Sequence, residues 1–314
     1  MEEFKRNEVN YIFSQKLSII RDLAIQNLQL NKGAVILLTG EPGGGKTEFA
    51  AAIAKALGGT MYKHQCAPDQ DRPLLYNFDL NGIVTGKKAW LPGPAWHAFA
   101  DSYNGIYSVL LIDEADKTHP TFDAFLLELL EQYRFAAPQN DENDQPYYIQ
   151  GRHSHLVVIL TSNGRRAFRP EVLRRCWRVE VPFPERPRLD NIIKAIGRSS
   201  GVEIPDRLIE LMIRIGAQIR KDNAENAPSP KEMADTCINM LILAANNIYE
   251  PTIIREIATM TMVKDGGAPA IDRALKYNWS KALINESSGK TSGPTSFDNH
   301  YPIKSNKKPK SKTS

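Results

Sequence analysis

The stretch GEPGGGKT (Gly40–Thr47) stands between an unbroken apolar run, AVILLT (Ala34–Thr39), and an alanine-rich stretch, TEFAAAIAKALGG. It fits the spacing G-x-x-x-x-G-K-[ST]. The apolar run is bounded by turn residues, which predicts a strand buried on both faces. The alanines predict a helix that stops at its glycines. In that setting the glycines let backbone N–H groups converge on phosphate oxygens with no Cβ in the way. The helix then brings its positive N-terminal end to the same point. Lys46 would reach the β- and γ-phosphates, and the Thr47 hydroxyl would ligate Mg²⁺. The expected phosphate-binding set is Gly40, Glu41, Pro42, Gly43, Gly44, Gly45, Lys46, Thr47 and Glu48.

Four further runs read as strands: TMYKHQCA, YSVLLIDEAD, HLVVILTSN and the shorter CWRVEVPFP. Helical patterns lie between them. In TFDAFLLELLEQYRF, Phe122, Phe125, Leu126, Leu129, Leu130 and Tyr133 recur at helical spacing on one face. Strands alternating with helices predict an α/β fold, a parallel sheet covered on both sides by helices. Before the sheet, 1–30 reads as a helical segment, with its helix over about 9–30. The α/β core is expected over 31–185.

PFPERPRL then forms a proline-rich joint. Beyond it only helical patterns remain, which predicts a small all-α lid domain over 189–265. A weak helix is expected within 266–286. From 287 to 314 Ser, Gly, Pro, Thr and Lys dominate, so this tail reads as disordered. It holds six lysines against one aspartate, a surplus of five that leaves the rest of the chain at about −1 against the overall +4. The body therefore makes no bulk electrostatic claim on nucleic acid. No apolar run is long enough to span a membrane and the start carries no signal peptide, so a cytoplasmic location is expected. Cys66, Cys176 and Cys237 match no zinc spacing and read as buried thiols.

Two strand ends carry chemistry. VLLIDEAD ends in Asp113 and Glu114 at the edge where such sheets bind ligands. Asp113 suits the Mg²⁺ shell, and Glu114 suits a general base toward water. VVILTSN ends in Asn163, whose amide can hold the lytic water or touch the γ-phosphate. Six arginines follow within 161–184: Arg165, Arg166, Arg169, Arg174, Arg175 and Arg178.

GEPGGGKT, LLIDEA, TSN and LRRC occur in the order of Walker A, Walker B, sensor 1 and arginine finger. The chain resembles an AAA+ ATPase, with a P-loop NTPase core followed by a small all-α lid. QCAPD, WLPGPAW, the room for a hairpin between Ala136 and His155, and PSPKEM are similar to the MoxR-type, helix-2-insert branch. The resemblance implies ATP and Mg²⁺ as ligands. It implies that Arg175, or else Arg174, reaches the nucleotide of a neighbouring subunit. Lys231 falls where the family carries its sensor 2 arginine. A lysine there can place a point charge on phosphate but not a bidentate fork. The other four arginines read as solvated or supporting charges.

The resemblance further implies a homo-oligomer, a hexamer, that remodels or activates a protein client, with a von Willebrand factor A-domain protein as the partner type. The alternative is a DNA-directed motor or a restriction-type GTPase or ATPase subunit. A third reading, a scaffold that binds ATP without turning it over, sits poorly with an intact Glu114.

Overall fold

The computed structural model describes residues 11–68, 72–79, 84–85, 90–140, 145–222, 227–246 and 251–262. The expected weak helix and the basic tail lie outside them.

Five parallel strands form the main sheet: β1 (Ala34–Thr39), β2 (Thr60–Gln65), β5 (Ser108–Asp113), β8 (Leu156–Ser162) and β9 (Trp177–Glu180), in spatial order β2-β5-β8-β1-β9. All five were legible in the sequence as strands, β1, β5 and β8 as unbroken apolar runs. β5 and β8 are buried at every position. A strand flanked on both faces has no solvent side to mark with polar residues, which is why its sequence does not alternate.

Two hydrophobic clusters coat the sheet. One gathers Leu37, Leu110, Ile112, Val158 and Leu160 under helices α3 (Pro94–Tyr103) and α4 (Phe122–Gln132). The other gathers Ile36, Leu38, Leu111 and Ile159 under α1 (Gln15–Gln29) and α2 (Lys46–Leu57). Successive residues of each strand serve opposite clusters, as the pleat requires.

Some expected boundaries move. The first helix begins at Gln15 rather than near residue 9, because the Ser14 side chain caps it by accepting from the Leu17 N–H. Tyr11 to Ser14 form neither helix nor strand, and the Tyr11 and Phe13 rings pack against Phe49 of α2. The helix expected to run through Tyr133 stops at Gln132. Tyr133 turns left-handed at φ 49°, and the chain enters a hairpin of β6 (Arg134–Asn140) and β7 (Pro146–Gln150). Its ring is buried and stacks on His153. Helical spacing saw a buried aromatic but could not tell a helix face from a strand start. A second hairpin pairs β3 (Tyr76–Phe78) with β4 (Trp90–Pro92), just ahead of α3.

α5 (Pro170–Arg175) links β8 to β9. After the joint come α6 (Arg188–Ser199), α7 (Asp206–Asp222), α8 (Pro230–Ala245) and α9 (Pro251–Met262). They share a separate core that includes Ile193, Leu208, Met212, Ile215, Met233, Cys237 and Met240. α8 opens with a reciprocal capping box between Ser229 and Glu232. Among the described residues no helix is long and apolar enough to cross a membrane.

Candidate functional site: the phosphate loop and the carboxyl edge of the sheet

The loop 40–47 leaves the carboxyl end of β1 and enters α2. Gly40 takes φ 144°, and a Cβ there would lie 2.2 Å from the Val181 carbonyl oxygen. Gly43 takes φ 78°, and its Cβ would press on Ser229 at 2.9 Å. Both positions therefore exclude any larger residue. Gly45, also left-handed, caps α2, and Lys46 and Thr47 are the first residues of that helix. The loop lines a cleft of about 1530 Å³, which it shares with Tyr11, Asp113, Glu114, Asn163, Arg188 and Lys231. Pro42, Gly44 and Glu48 face the same cleft.

β1, β5 and β8 end at one edge, so the sheet brings distant residues together. The Lys46 ammonium donates to the Gly40 and Glu41 carbonyls at 2.7 and 3.0 Å, and to Asn163 Oδ1 at 2.7 Å. Asn163 Nδ2 donates to Glu114 Oε1 at 2.9 Å. A cation on one side and a carboxylate on the other fix which way this amide points. Thr47 Oγ1 lies 3.2 Å from Asp113 Oδ2. Burial pushes the Lys46 ammonium below its ordinary pKa, against the upward pull of Asp113, Asp116, Glu114 and Glu48. Asp113 moves the other way. Burial raises it, but the Lys63 ammonium and the Thr161 and Thr47 hydroxyls outweigh that and hold it below the ordinary carboxylate value.

Several partners were not among the site residues expected from the sequence. Lys63, on the neighbouring β2, pairs with Asp113 at 2.6 Å. Thr161 sits beside Asp113 across the β5–β8 ladder. It donates to Asp113 Oδ1 at 2.6 Å and accepts the Glu114 N–H at 2.7 Å. Gln65, the last residue of β2, donates to Glu114 Oε2 at 2.6 Å, and Lys117 also pairs with Glu114. Glu114 itself is left-handed, φ 54°, at the turn where β5 ends. Buried Asp116 accepts the N–H groups of Asn163 and Arg165 at 3.0 and 2.8 Å, tying the loop after β8 to the end of β5. The tetrad Asp-Glu-Ala-Asp was visible in the sequence, but only its first two members were read as functional.

The six arginines separate. Arg166 is not a solvated charge. Its guanidinium bonds the fully buried Asp123 at 2.7 Å and the Thr118 carbonyl at 2.8 Å, and lies over the Phe168 ring. Arg169 caps α5, and its N–H donates to the second Asp123 oxygen at 2.7 Å. Arg165, Arg174 and Arg178 are exposed. Arg175 ends α5 and pairs with Glu131 at 2.6 Å. It lines a small recess with Lys32, Gly33 and Ala34, at the amino end of β1 and so at the opposite edge from Lys46. Lys231, exposed on the first turn of α8, faces the phosphate loop across the cleft.

Residues 35–176 match the AAA domain (dynein-related subfamily). Over that stretch, a little under half of its length, the chain is similar to an AAA ATPase domain. That match runs from β1, through the glycine-rich loop and the ends of β5 and β8, to the residue after Arg175. Over 185 residues the chain is 29% identical to Lon protease 1 of Borreliella burgdorferi, covering 58% of this chain and 20% of that protein. Over 218 residues it is 26% identical to the peroxisomal Lon protease homolog 2 of Oryza sativa subsp. indica, covering 63% of this chain and 23% of that one. The chain thus spans about a fifth of the length of these relatives. The solved structure of NtrX from Brucella abortus in complex with ADP is 13% identical, with a TM-score of 0.48, over 74% of this chain and 51% of its own.

Proposed function

We propose that this chain works as an oligomeric, Mg²⁺-dependent AAA+ ATPase that remodels or activates a protein client, in the manner of the MoxR-type branch. The observation that carries the reading is the chain Lys46–Asn163–Glu114, beside the Thr47–Asp113 pair, at the mouth of a glycine-built loop. The residues fit the ligand. A turn of left-handed glycines that opens onto the N-terminus of α2 suits phosphate, and one hydroxyl with one carboxylate suits Mg²⁺, which prefers few protein oxygens plus phosphate. When bound, Mg²⁺ would neutralise charge on the phosphates. Thr47 and Asp113 would hold it, and Lys46 would sit on the β- and γ-phosphates. Glu114 would accept a proton from water, and Asn163 would keep its carboxylate aimed.

Arg175 would act on a neighbour, since its own phosphate loop lies at the far edge of its own sheet. Arg174 is the second candidate for that role. A trans finger needs a ring, which we take to be a hexamer, and the client type we favour is a von Willebrand factor A-domain protein. In this reading the core spans 31–185 and the lid 189–265, with Lys231 as the lid's contact to phosphate. Glu114→Gln tests the site. It keeps the side-chain size and leaves Lys46, Thr47 and Asp113 in place while removing the base, so labelled ATP should bind near wild-type affinity while turnover falls by about 10²-fold or more. Turnover equal to wild type would refute the assignment.

A further inference from the structure

Among the described residues, one ion pair joins the helical segment directly to the phosphate loop. Arg220, in the last turn of α7, pairs with Glu41, the second residue of the loop. The same guanidinium lies 3.5 Å from the centroid of the Phe183 ring, at the start of the proline-rich joint. It also donates to the Pro228 carbonyl at 3.4 Å. Pro228 leads straight into Ser229, the cap of α8, and Ser229 is the residue that approaches Gly43 too closely for any Cβ to fit. Two residues further on stands Lys231. One side chain therefore touches the loop, the exit of the sheet and the approach to α8.

The chemistry suits arginine. Its planar cation can stack on an aromatic face and still pair through its edge, which a lysine cannot do at once. Only 19% of the Arg220 side chain is exposed, against 50% for Glu41. The cation is thus held firmly and the carboxylate comes to it.

We infer that Arg220 is a positioning residue that latches the start of α8, and with it Lys231, onto the phosphate loop. Its contact with Glu41 breaks when the cleft opens and bound nucleotide leaves. The inference rests on the reading of the loop as the ATP site. It adds a determinant of how long nucleotide stays, carried by a residue that itself touches no phosphate.

The test is displacement of a fluorescent N-methylanthraniloyl-ADP from the full chain by excess ADP, followed by stopped flow. Arg220→Gln should speed release roughly three- to tenfold, the range expected for losing one partly buried ion pair. Arg220→Lys should fall between, keeping charge without the stack. Glu41→Gln should match Arg220→Gln, and the double variant should release no faster than either single one, because both remove the same pair. Wild-type release should quicken with added salt, and that of Arg220→Gln should not. A purely structural role would instead lower the thermal midpoint of the ligand-free chain and leave the salt dependence intact. If Arg220→Gln fails to fold, Arg220→Lys and Glu41→Gln decide. Wild-type release rates in the variants, or rate effects that multiply in the double variant, overturn the inference. If the wild-type chain binds neither labelled ADP nor labelled ATP, the phosphate-loop reading fails first and takes the latch with it.

Discussion

Replacing Arg166 with alanine should destabilise the chain by about 3–5 kcal/mol, the usual cost of removing one partner of a buried ion pair. The structure explains why the cost is high. The Asp123 side chain is 0% exposed and that of Arg166 is 15% exposed. Without the guanidinium, the Asp123 carboxylate keeps, among the described residues, the Arg169 N–H as its hydrogen-bond donor. Water cannot reach it to compensate. The Thr118 carbonyl and hydroxyl lose their donor as well. Urea unfolding followed by circular dichroism would read the change. With a slope of about 2–3 kcal/mol per M, the midpoint should fall by about 1–2.5 M. Arg166→Lys should fall between, since an ammonium keeps the charge but not the fork. Arg174→Ala, at an exposed site, should stay within about 0.5 kcal/mol of wild type. An Arg166→Ala midpoint that matches Arg174→Ala would refute the account and return Arg166 to the solvated surface.

Lys231→Ala should weaken ATP more than ADP in equilibrium titrations, because the lysine faces the loop from the first turn of α8; affinities unchanged from wild type for both nucleotides would make it a surface residue. Mixing Arg175→Ala with Lys46→Ala should restore part of the lost hydrolysis, since some interfaces then pair an intact phosphate loop with an intact finger; co-assembled mixtures that stay inactive would rule out action in trans. Burial pushes the Cys176 and Cys237 thiols up from 9.0 to about 12. At pH 8 a thiol reagent should therefore find no reactive cysteine in the native chain, and all three after unfolding. A raised pKa means the folded state favours the protonated thiol. The stability these thiols contribute is thus whole below about pH 9 and drains as pH climbs toward 12, which a denaturation series from pH 7 to 11 would show as a falling midpoint.

The local rules of the chain were enough for the parallel sheet and for the glycine-built turn between β1 and α2. Continuous apolar runs such as 34–39 and 156–162 can be buried on both faces only in a covered sheet, and GEPGGGKT between strand and helix admits few uses. These are short-range statements, and short-range physics decides them. Where Tyr133 goes is different. Its spacing suits a helix, yet it turns left-handed so that its ring can stack on His153, twenty residues away. Nothing local distinguishes Arg166 from Arg165 either. They are neighbours in the same basic run, and only the packing of α4 beneath the loop supplies a buried carboxylate to one of them and solvent to the other. Glu114 could be read as a base from its place at a strand end. That it is held by Gln65 and Asn163 depends on β2 and β8 both lying beside β5, an order that no window of sequence contains. The same holds for Arg220 and Glu41. They are 179 residues apart, and a charge finds its partner over that span only after the sheet and the helical segment have packed.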